Sequence, residues 1–147
     1  MSNTEATGPA PTASASELSG VRRTALDVFR GLAILMVVAV VVQIVLAGLG
    51  SFGAGFDAHR TLGGLLPILP ALMLIAVLVA RPGWLHVGLA ALLLVLTAVV
   101  QSLLASLGDD TDAWFGAMHA LNALVIFGLA GWLAGNTRRG GPGATSR

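Results

Sequence analysis

The sequence predicts an all-α integral membrane protein, a four-helix up-down bundle with both termini cytoplasmic. Three observations lead there. Hydrophobic residues make up 56% of the chain and charged ones 10%, with a mean hydropathy of +0.88; a soluble domain carries about 45–50% apolar and about 25% charged residues. The apolar residues gather into four long runs, and about 20 such residues in a helix cross a bilayer. The arginines then orient the runs, because cytoplasmic flanks collect positive charge. Arg22, Arg23 and Arg30 lead into the first run, Arg81 separates the second from the third, and Arg138, Arg139 and Arg147 follow the fourth. The remaining two connections hold Arg60 alone, with Asp57, Asp109, Asp110 and Asp112.

Taken in order, residues 1–24 are rich in Ser, Thr, Ala, Gly and Pro. Such a composition buries no core and is expected to form a disordered cytoplasmic tail. It has no charged start followed by an apolar run, so it does not read as a signal peptide. The bundle is expected over residues 25–135. Its first helix covers about 29–50 and reads as an uncleaved anchor, the rival reading being cleavage near Ala54. The second covers about 58–80, with Pro67 and Pro70 expected to kink it. Arg81, Pro82 and Gly83 form a tight turn. The third helix covers about 84–107, followed by an acidic loop in which Asp112 is placed to cap the fourth helix, about 113–135. Residues 136–147 are expected to be a second disordered cytoplasmic tail. Trp84 and Trp132 then fall at the inner membrane boundary and Trp114 at the outer one, as an aromatic belt would have them.

A polar side chain at membrane depth is expensive and marks function or packing. The candidates are Gln43, His59, Gln101, His119 and Asn122. At ~1.5 Å per residue, His119 lies roughly 9 Å inside the fourth helix, level with Gln101 and Gln43. His59 reads as shallower by several ångströms. Helix pairs one–two and three–four echo each other weakly: a glutamine late in the odd helix, an acidic connection, then a histidine early in the even helix. With no cysteine in the chain and no glutamate at depth, a closed zinc site lacks ligands. Heme needs only two axial donors. His59, Gly63, Leu66 and Pro70 share one stripe of the second helix, and His119, Asn122, Ala123, Ile126 and Ala130 one stripe of the fourth. Arg60 at the mouth suits a propionate. The bland readings are interhelical hydrogen bonds for Gln43, Gln101 and Asn122, an interfacial role for His86, and close helix packing for Gly128 and Gly131. The run Asp109, Asp110 and Asp112 reads as a solvated loop, with calcium as its rival reading.

The segments His59–Gly63, Gln101–Leu104 and Ala117–Leu121, followed by a helix ending in Leu, Gly and Trp, resemble one four-helix half of heme A synthase, over about residues 25–135. That resemblance implies a bundle with paired histidines on its even helices, here His59 and His119, holding heme from the outer side. The chain departs from the family in having one bundle, no loop cysteine pair, and Phe56 where the family has glutamate three residues before the first histidine. Hydroxylase-type heme A synthesis is therefore not what the resemblance implies. The chain is also similar to small four-helix membrane proteins of GC-rich bacteria with no assigned function.

The expected function is a b-type heme protein of the bacterial cytoplasmic membrane, with His59 and His119 as ligands and Arg60, Gly63, Gln101 and Asn122 around them. It would serve electron transfer or heme handling rather than catalysis. Expected partners are the lipid bilayer, a respiratory or heme-handling membrane protein, and further copies of the chain. A net charge of +1 without a basic stripe excludes nucleic acid. Two alternatives stay open: a cofactor-free accessory or structural subunit, and a small transporter or channel built on the Gln43, Gln101 and Asn122 layer.

Overall fold

The computed structural model describes residues 13–137, with side chains from Ser19 onward. The outer parts of both expected tails, 1–12 and 138–147, lie outside the described residues. Helix α1 runs Ala13–Leu49 and ends in a wide turn over Gly50–Ala54. Then come α2 (Asp57–Leu65), α3 (Ile68–Ala80), α4 (Trp84–Val95), a wide helical turn over Leu96–Val100, α5 (Gln101–Asp110) and α6 (Ala113–Asn136). No strand occurs among the described residues. Four stretches are long and apolar enough to cross a membrane: Ser19–Ala54, Asp57–Ala80, Trp84–Asp110 and Ala113–Asn136.

The start of α1 corrects an expectation. Residues 13–24, expected to form part of a disordered tail, continue the first helix. A helix nucleated by an apolar run extends at one hydrogen bond per residue fixed, and no proline interrupts 13–49. The Pro67 kink falls where expected. Pro67 and Pro70 carry no N–H, so the backbone re-bonds locally: Leu66 N donates to both Leu62 O and Gly63 O, and Leu69 N to Leu66 O at 3.0 Å. Arg81 closes α3 in the left-handed region, φ 52°, and Gly83 continues the reversal at φ 133°.

Helix α1 packs against α3 and α6, α3 against α4, and α5 against α6. The apolar core is formed by Phe29, Met36, Met73, Val77, Leu93 and Leu133, all fully buried. Outward faces carry half-exposed Val38, Val45, Ile75, Val99 and Leu124, a surface that suits hydrocarbon and would be a liability in water.

The two helix pairs share one register. Pro70, Met73 and Val77 follow His59 by 11, 14 and 18 residues; Ala130, Leu133 and Thr137 follow His119 by the same intervals, and all six are buried. In the odd spans, Val40, Met36 and Ala33 are buried before Gln43, as are Thr97, Leu93 and Ala90 before Gln101. The second series is offset by one residue. The wide turn supplies that residue: Gln101 N bonds back to Leu96 O, one position further than an α-helix reaches.

Candidate functional site

Each helix pair is clasped by one glutamine and one histidine. His59 Nδ1 stands 3.1 Å from Gln43 O, and Gln43 Nε2 donates to His59 O at 3.1 Å. His119 Nδ1 stands 3.0 Å from Gln101 O, and Gln101 Nε2 donates to His119 O at 3.1 Å. A carbonyl only accepts, so each imidazole carries a hydrogen on Nδ1, and the neutral ring has its lone pair on Nε2. The same logic fixes both amides with NH2 toward the histidine carbonyl. An Nδ1–H held by a backbone carbonyl is the usual orienting contact of a histidine that ligates metal through Nε2.

Each clasp lies beside a close approach at a glycine. Gly50 follows Gln43 by seven residues, as Gly108 follows Gln101. A Cβ on Gly50 would lie 2.8 Å from the Phe56 ring; one on Gly108 would lie 2.8 Å from Gly116 N. Phe56 and Gly116 each stand three residues before a histidine. Neither glycine was singled out from sequence, although the shared spacing was there to be read. Gly128 and Gly131, which were, are exposed with nothing near their would-be Cβ atoms. The correction has a physical source: on a helix facing lipid, small residues occur on the outer face too.

The two imidazoles meet. Their ring centres are 6.1 Å apart with planes at 62°, so the difference in depth inferred from helix starts does not separate them. Phe56 lies edge-on to His59 at 6.2 Å. Both histidines line a cavity of about 1050 Å³ that also borders Gln43, Gly63, Gly64 and Gln101, at the upper end of the about 300–1,000 Å³ of small-molecule sites. At its mouth Arg60 pairs with Asp109 at 3.3 Å, both exposed. Leu66, Ala123 and Ile126 line it as well.

The clasps differ at one level. Asn122 Nδ2 donates to Gln101 Oε1 and to Leu96 O, the latter at 3.1 Å. Gln101 Nε2 also lies 3.1 Å from His119 Nε2, so its second hydrogen covers that lone pair. In the first pair Leu62 occupies the position of Asn122. Gln43 Oε1 is buried without a partner, and Gln43 Nε2 rests against Gly63, whose Cβ would come within 3.1 Å of it. The His59 Nε2 lone pair takes no hydrogen bond among the described residues.

The other candidates are placed simply. Asp112 caps α6, accepting from Trp114 N at 2.8 Å, and Asp110 accepts from Ser106 Oγ at 3.2 Å. His86 rests on Trp132, ring centres 5.9 Å apart. Among the described residues no three His, Asp or Glu side chains gather as metal ligands.

Residues 43–108 match the model of a family of unknown function, DUF6220. No curated protein and no solved structure matches the chain.

Proposed function

We propose that this protein is a multi-pass protein of the bacterial cytoplasmic membrane that binds b-type heme between His59 and His119. Its four spans run up and down, with both termini cytoplasmic and the histidine cavity toward the outer face. The arginine distribution supports that orientation, as do the exposed Trp84 and Trp114. The observation that carries the heme reading is the 6.1 Å between ring centres. Two imidazoles bonded to opposite sides of one metal ion at about 2 Å each have ring centres about 6 Å apart.

The chain's own residues do the rest. Gln43 and Gln101 hold the rings by their Nδ1 atoms and aim Nε2 inward. Gly64, with open space where a Cβ would stand, leaves room beside the helix for a flat ring. Arg60 trades Asp109 for a propionate. A heme held by His59 and His119 would supply one-electron transfer. The reading therefore assigns electron transfer or heme handling for a respiratory or heme-handling membrane partner, and no catalytic residue. Detergent-purified protein supplemented with heme should show a Soret band that disappears in the His59→Ala/His119→Ala double variant. No band, or one unchanged in that variant, rules it out.

One observation favours the second reading, a cofactor-free structural subunit: the Gln101 amide already satisfies His119 Nε2. There the clasps are interhelical staples, and the double variant loses stability or assembly alone.

A further inference from the structure

We infer that the two histidines are unequal ligands: His59 is open to a metal centre, and His119 is gated by Gln101. The inference rests on the heme reading and adds an order of events to it. The clasps differ in what holds the glutamine amide. In the second, Gln101 Nε2 stands 3.1 Å from the lone pair His119 would donate, and Asn122 holds the amide there through Gln101 Oε1. Asn122 is itself braced on Leu96 O at 3.1 Å, the carbonyl that begins the wide turn. In the first clasp Leu62 offers no such hold, and the missing Cβ of Gly63 gives the Gln43 amide a resting place away from the ring. His59 Nε2 is bare.

A lone pair cannot serve a hydrogen bond and a metal at once. His119 therefore ligates only after the Gln101 amide has left its ring, while His59 ligates directly. Gln101 is a positioning residue that sets when the sixth ligand arrives, and Asn122 acts through it. A heme held by His59 alone would, until then, bind a small exogenous ligand such as carbon monoxide.

The test is stopped-flow mixing of heme-free detergent-purified protein with ferrous heme, read as a spectrum, with and without carbon monoxide. The wild type should pass through a five-coordinate, carbon monoxide-reactive species before a slower change to six-coordinate, low-spin heme. Gln101→Leu should speed the second phase at least tenfold, and Asn122→Leu should speed it in the same direction but less. His59→Ala should lose the early species, and His119→Ala should stop at it. Equal second-phase rates in wild type and both variants overturn the inference and leave the heme reading standing. So does an early species that survives His59→Ala but not His119→Ala. No Soret band in the wild type overturns both.

Discussion

The first helix pair and the second solve the same packing problem with the same four parts: a glutamine, a glycine seven residues on, a crowded position, and a histidine three residues after it. They diverge at Leu62 against Asn122 and at Gly63 against Ala123. In one clasp a buried acceptor, Gln43 Oε1, has no partner; in the other the polar atoms close on each other. Buried polar groups are normally satisfied, and one that is not asks for an explanation. The second clasp is complete by itself; the first leaves the Gln43 amide half satisfied, its oxygen closed off from solvent.

The largest effect should come from removing each ring in turn. His59→Ala is expected to weaken heme binding roughly 100-fold, about 2.7 kcal/mol, and His119→Ala only roughly tenfold, about 1.4 kcal/mol. Heme titration followed at the Soret band decides it, and equal losses would erase the proposed inequality. Next come the glycines. Gly108→Ala sets a methyl 2.8 Å and 2.9 Å from Gly116 N and Cα, and backbone cannot step aside. Overpacking of this kind costs about 1–3 kcal/mol. Gly50→Ala meets mainly the Phe56 ring, which can turn, so its cost should be the smaller of the two in thermal unfolding in detergent. The smallest change is Leu62→Asn, which copies Asn122 into the first pair. A donor for Gln43 Oε1 should stabilise the heme-free protein by about 1 kcal/mol. By holding the Gln43 amide over His59 Nε2, as Asn122 holds that of Gln101 over His119, it should also slow heme entry.

Much of this was legible in the residues. Four apolar runs, the break at Pro67, the Asp112 cap and the turn at Arg81 are encoded locally, by length, a missing N–H and a side-chain acceptor. The two glutamine–histidine contacts follow the echo of Gln43 and His59 in Gln101 and His119. The wide turn was not, because Leu96–Val100 contains neither proline nor glycine and apolar residues surround that span on every side. For the same reason inward and outward faces look alike in composition, and the close helix packing expected at Gly128 and Gly131 does not occur within the described residues. The start of α1 was missed because composition speaks to core burial, and an extension of an existing helix requires none.

The extra residue in the third span means that the two halves answer an edit of chain length in opposite ways. Losing one residue from 98–100 would leave a plain α-helix that still aims Thr97, Leu93 and Ala90 at their present neighbours, as Val40, Met36 and Ala33 already stand in the first span. The same loss between Val40 and Gln43 would swing everything before it by about 100° and pull Met36 and Phe29 out of the middle of the molecule. The third span thus carries slack that the first lacks, and it sits one turn from the amide that covers His119.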